Sequence, residues 1–178
     1  MKNLLIILSI IFFNSACHKS TKIYDNDFGL PNATQSGKNT FGFLLNGEPW
    51  TPKGFNGTAN LGLYYDETFN NGVFNLGAYR ILNNEGLRQR LNLFGDFIQE
   101  PDRILLPNNT KFGLIIKDDI SGCDYNVIDS NVQILSGYFD IKKLDKVNRI
   151  FAGEFEINIS KTGCPDIHIT QGRFDMKY

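Results

Sequence analysis

The chain has 178 residues, 42% of them hydrophobic, and a formal net charge of −1 at pH 7. That balance provides no basic field to attract nucleic acid and no acidic field to attract a polycation. Fifteen phenylalanines and seventeen glycines against two methionines describe strands joined by tight turns rather than helices.

The chain opens on Met1-Lys2-Asn3, a short basic start, and runs through Leu4 to Phe13, an apolar stretch broken only by Ser9. Asn14-Ser15-Ala16-Cys17 follows. A positive start, about ten apolar residues and small residues before a cut are the layout of a secretory signal peptide. The stretch is too short to span a bilayer, which takes about twenty apolar residues. Ser15-Ala16-Cys17 resembles the lipobox of bacterial lipoproteins, with Asn14 standing where that pattern prefers an aliphatic residue. The resemblance implies cleavage after residue 16, a thioether-linked diacylglycerol on Cys17 and a further acyl chain on its amine. Each buried CH₂ contributes about 0.8 kcal/mol, so several chains together hold a protein on a membrane stably. His18 and Lys19 come next in place of the Asp that retains enterobacterial lipoproteins at the inner membrane. The expected address is the outer membrane, on its periplasmic face.

Residues 18–38 are polar, contain Gly29-Leu30-Pro31 and show no periodicity, so 17–39 reads as a lipidated cysteine and flexible tether. A single β-rich domain is expected over 40–178. Its first strand signal is Phe41–Leu45, followed by an Asn46-Gly47 turn and Glu48-Pro49-Trp50. Asn-Gly between apolar runs is the strongest short hairpin signal. Further strands are predicted at Leu61–Tyr65, Val73–Leu82, Leu87–Phe97, Phe112–Lys117, Val132–Lys143, Ile150–Ser160 and Ile167–Tyr178, with a short turn near Phe97–Arg103. Loops at 83–86 and at 145–148 read as hairpin connections. Short links between strands make the sheets antiparallel. An antiparallel β-sandwich of hairpins is the expected architecture, with a partly closed up-and-down barrel as the alternative.

The last third repeats one pattern, Gly-x-Phe-acid-aliphatic, at Gly137–Ile141, Gly153–Ile157 and Gly172–Met176. Side chains alternate along a strand, so Phe and the aliphatic residue face the core with Gly, which leaves room for a neighbouring ring. Asp140, Glu156 and Asp175 then fall on the outer face, where Lys142, Lys143, Arg173 and Lys177 are available to neutralise them. A solvated sheet face is the expected role for these acids.

Two cysteines besides Cys17 remain, Cys123 and Cys164. In an exported, oxidising compartment an even pair is expected to bridge, closing a long loop worth about 4 kcal/mol in the chain-entropy model. Two buried free thiols, or a catalytic thiol, are the competing readings.

The search for catalytic chemistry returns no constellation. The only histidines are His18, in the tether, and His168, which alternates with Ile167 and Ile169 and so faces away from them. Nucleophile elbow, phosphate loop and dinucleotide fingerprint are all missing. The acidic loop Lys117–Asp124 lacks the spacing of a calcium loop. No cofactor or metal is therefore expected. Trp50, Tyr64, Tyr65, Tyr79, Tyr125 and Tyr138 offer rings on which sugars can stack, and Trp50, Tyr64 and Tyr79 are the candidate ligand-facing aromatics. Trp50, directly after a tight turn, is also placed to plug one end of the core.

Thr40–Trp50, with Phe151–Glu156 and Ile169–Tyr178 near the other end, resembles small Bacteroidetes lipoproteins that carry an uncharacterised β-rich domain. The likeness extends over most of the chain from Thr40 and is distinctive at its two ends. It implies a lipid-anchored envelope protein and brings no catalytic residues. The expected function is a non-catalytic binding or envelope-assembly module whose partners are the membrane and an envelope protein or glycan. The alternative is a carbohydrate-binding or carboxylate-based glycan-processing enzyme.

Overall fold

The computed structural model describes residues 29–82, 86–107 and 109–178. Cys17 and the predicted signal peptide lie outside the described residues, as do Asn83–Glu85 of one expected hairpin loop. Eleven strands form two antiparallel sheets that pack face to face as a β-sandwich. The strands are β1 (Thr40–Leu45), β2 (Glu48–Trp50), β3 (Leu61–Asp66), β4 (Val73–Ile81), β5 (Arg88–Gly95) and β6 (Arg103–Leu106). They continue with β7 (Phe112–Asp118), β8 (Cys123–Asn126), β9 (Val132–Asp145), β10 (Ile150–Lys161) and β11 (Ile167–Lys177). One sheet has the order β2-β1-β11-β10-β9-β6 and the other β3-β4-β5-β7-β8. Neither closes on itself, which sets aside the barrel.

The alternation written in the sequence places the inner faces. Phe74, Leu76, Leu91, Leu93 and Leu114 from the five-stranded sheet meet Phe139, Phe155, Ile157 and Phe174 from the other, all essentially inaccessible. Phe139 stacks on Phe74 at 5.2 Å and on Phe174 at 5.1 Å, so the rings interlock across the interface rather than fill it as separate spheres. Each buried ring contributes roughly 1.5–3 kcal/mol. At the β1–β2 hairpin Asn46 and Gly47 have φ of 50° and 87°, the pair of positive angles that the Asn-Gly turn predicts.

The repeat behaves as expected in two of its three copies. Phe155 pairs with Gly172 and Gly153 with Phe174, and in each case the ring lies over the glycine. A Cβ on Gly172 would stand 2.6 Å from the Phe155 ring, and one on Gly153 would stand 2.8 Å from Phe174. Gly137 differs: at φ +143° its missing Cβ makes room for the Glu156 carbonyl, near a register shift between β9 and β10.

Three expectations are corrected. Two short strands occupy stretches to which no strand was assigned, β6 against β9 and β8 against β7. Residues 29–39 do not hang free: Leu30 is wholly buried and Pro31 packs over Gly42 on the outer face of the six-stranded sheet. The outer-face acids are not uniformly solvated either. Asp175 is 1% exposed and accepts bonds from the Thr34 hydroxyl (2.6 Å) and from the amides of Ser36 (3.0 Å) and Gly37 (2.6 Å). Burial pushes the Asp175 carboxyl up, and the bonds from residues 34–38 outweigh it and hold the group below the usual carboxylate range. Asp140, also buried, is neutralised by Arg103 at 3.1 Å and Lys142 at 2.8 Å.

Candidate ligand cleft

Antiparallel pairing brings Arg80 of β4 opposite Gln89 of β5, beside the position where Trp50 ends β2. The three side chains join at one end of the sandwich. Gln89 Oε1 accepts from both the Trp50 indole N–H (3.2 Å) and Arg80 Nε (2.8 Å), and a second guanidinium nitrogen of Arg80 donates to the Pro49 carbonyl (3.0 Å). The Arg80 guanidinium also lies 5.5 Å from the Trp50 ring centre. Burial pushes the Arg80 pKa down, countered by the charge of Asp118. No carboxylate stands within ion-pair distance of Arg80 among the described residues.

These residues form one side of a cleft of about 320 Å³. Trp50 stacks on Phe43 at 4.8 Å, and Leu91, Ile116 and Tyr125 continue the apolar floor. The far wall is β8 and the turn before β11. The Cys123–Cys164 disulfide ties these two together, with Cα atoms 6.1 Å apart, and joins the five-stranded sheet to the six-stranded one. The Tyr125 hydroxyl donates to the Pro165 carbonyl across the same wall at 2.5 Å. Burial raises its pKa, and the charges of Asp118 and Asp166 add to this. Glu48, Asp118 and Asp166 reach the rim, opposite Arg90. Asp118 is committed to the β7–β8 turn, accepting from the Ile120 amide and the Ser121 hydroxyl, both at 3.0 Å.

The expected aromatic platform does not assemble. Trp50 is 1% exposed because its ring is on the core face of β2, so it enters the cleft as floor. Tyr79 is buried under residues 54–60, where its hydroxyl donates to Asn56 and Thr58 oxygens at 2.7 Å. Tyr65 and Tyr125 are buried as well, and Tyr138 lies under the Arg103 guanidinium at 4.0 Å. Tyr64 alone of the six is exposed, at 58%, on the outer face of the five-stranded sheet. There it borders an open groove of about 540 Å³ with Tyr79, Asn75, Asn92 and Arg90 over the paired Gly62 and Gly77. His168 is exposed, with Nδ1 2.9 Å from Asn158 Oδ1.

Arg80 and Gln89 were missed by sequence reasoning. The signal available was their placement beside the connecting loop of a hairpin, one cationic and one amide residue on otherwise apolar inward positions. Comparison with protein-family models, curated proteins and solved structures finds no match to the chain.

Proposed function

We propose that this chain is a lipid-anchored, non-catalytic binding module of the bacterial cell envelope, acylated at Cys17 and held at the outer membrane. The observation that carries the binding role is the cleft: a partly buried arginine beside an aromatic floor, facing a wall held by a disulfide. Concave, mostly apolar sites with a few convergent polar groups are where ligands are taken. A disulfide in the wall suits an oxidising compartment, which supports the exported location. The anchoring role rests on the N-terminal pattern ending at Cys17.

The two halves of the proposal are tested separately. Globomycin treatment, or Cys17→Ala, is expected to block maturation and release the protein from the membrane fraction; normal processing in either case overturns the anchor. For the cleft, the lipidated protein is purified from its native membrane and co-purifying glycans and peptides are identified by mass spectrometry. Enrichment that disappears in Arg80→Gln, with thermal unfolding unchanged, supports the cleft. Recovery without any bound molecule counts against it.

A second reading is favoured by Glu48 and Asp166, which line the same cleft. Two carboxylates in one cleft are what glycoside hydrolysis requires. Release of reducing ends from an oligosaccharide, abolished by both Glu48→Gln and Asp166→Asn, would install the enzyme in place of the binding module.

A further inference from the structure

We propose that the ligand is a neutral linear glycan that lies in the groove on the outer face of the five-stranded sheet, beside Arg90 at the rim of the cleft. This rests on the reading of the cleft as a binding site and names what it binds.

The register sets the groove out as rows. Tyr64, Asn75 and Phe94 are cross-strand neighbours, and Phe94 lies over Gly113, where a Cβ would stand 2.3 Å from its ring. Tyr64 and Phe94 thus flank Asn75 on one row, two strand spacings or about 9.5 Å apart. The next row is Gly62, Gly77 and Asn92. A Cβ on Gly62 would meet nothing within 4 Å, so the floor there is bare backbone with the depth of a ring left open above it. The third row pairs Tyr79 with Arg90. Arg90 borders both the groove and the cleft, so the two hollows meet at one residue of β5.

The chemistry of the groove selects its occupant. Asn75 and Asn92 are exposed, and their amides have no hydrogen-bond partner among the described residues. An amide offers both a donor and an acceptor, as adjacent sugar hydroxyls require. The exposed Tyr64 ring presents an apolar face to the C–H face of a pyranose. Arg90 is the one cation lining the groove, and Lys117 beside it on the row is paired with Asp124 at 3.3 Å, which does not suit a polyanion; the amides and glycines interrupt any apolar surface that a protein partner would bury. The first described residues pack on the opposite outer face, over Gly42 and Asp175, and so do not cover the groove.

The test titrates the full lipidated protein in detergent micelles with soluble gluco-, manno- and N-acetylglucosamine oligosaccharides of increasing length, followed by calorimetry. Affinity for one of these series is expected to rise with length, and Tyr64→Ala is expected to weaken the long ligand about tenfold while leaving the monosaccharide unchanged. Asn92→Ala should act in the same direction. Thermal unfolding of each variant serves as the control for folding. Binding that does not depend on length, is lost in Arg80→Gln and is untouched by Tyr64→Ala overturns the groove and leaves the cleft standing. No binding by any of the three series overturns the glycan assignment, and the capture of a non-glycan molecule through Arg80 would then show that the binding reading survives without it.

Discussion

The two sheets present outer faces of opposite kinds. On the six-stranded sheet, residues 30–37 lie across β1 and β11, bury Leu30 and Ala152 and place backbone amides on the Asp175 carboxylate. On the five-stranded sheet, Tyr64, Asn75, Asn92 and Arg90 stand around glycines and, among the described residues, 54–60 fold against one end. One face is closed by the chain itself and the other is left open. The contrast separates polar groups that stabilise the fold from polar groups free to meet something else, although both kinds occupy equivalent outward positions in strands.

The disulfide is the covalent link between the sheets, and removing it gives the largest expected change. It spans a sequence separation of 41 residues, for which the chain-entropy model gives about 4 kcal/mol. Cys123→Ala with Cys164→Ala is therefore expected to lower the urea midpoint sharply, and ligand capture should fall with it because the cleft wall loses its tie. A loss below about 1 kcal/mol would mean that β8 and the β10–β11 turn are held by packing alone.

Glycines sharpen the contrast next. Gly172→Ala puts a Cβ 2.5 Å from the Phe155 carbonyl and 2.6 Å from its ring, both inside the core. Overpacking of that kind costs about 3 kcal/mol. Chemical denaturation measures it, and a neutral result would show that β10 and β11 can shift apart.

Asp175 comes third. Asp175→Asn removes the charge that residues 34–37 surround, at a cost of about 2 kcal/mol for charge-assisted bonds in a buried place. The native carboxyl titrates below its ordinary value of 3.8, so its contribution is present above that pH and is lost as pH falls through the lowered value. The stability difference between wild type and variant should stay level from neutral pH down to about 5 and shrink below about 4. A difference that grows on acidification would contradict the hydrogen-bonded carboxylate.

How much of this was legible in sequence follows the range of the interactions. The Asn46-Gly47 turn, the alternating inner faces and the Gly-x-Phe copies at Gly153 and Gly172 are local signals, and each appears where the pattern places it. Gly137 shares the motif and a different fate, because a register shift beside it is set by the partner strand. The strands β6 and β8 have four residues each, too few for a period to show. Residues 29–39 read as tether since nothing periodic holds them; burial of Leu30 and bonds from the far end of the chain, chiefly to the Asp175 carboxylate, do. The cleft was illegible for the same reason. Trp50, Arg80 and Gln89 meet only through the β4–β5 register and the position of β2, although the burial of Trp50 at one end of the core follows from its place directly after the turn.

The smallest expected effect tests the open face most directly. Gly62→Ala adds a methyl where nothing lies within 4 Å, on a strand residue pointing away from the core. The unfolded chain loses some freedom and the folded one meets no clash, so stability should hold or rise by about 0.5 kcal/mol. The same methyl occupies the bare floor between Tyr64 and Tyr79, and oligosaccharide affinity should fall as it does so. A variant that is at least as stable as wild type and yet binds less tightly is the signature of a surface kept empty for a ligand. If binding is unchanged while stability rises, the glycines there are merely tolerated, and the difference between the two outer faces is one of covering alone.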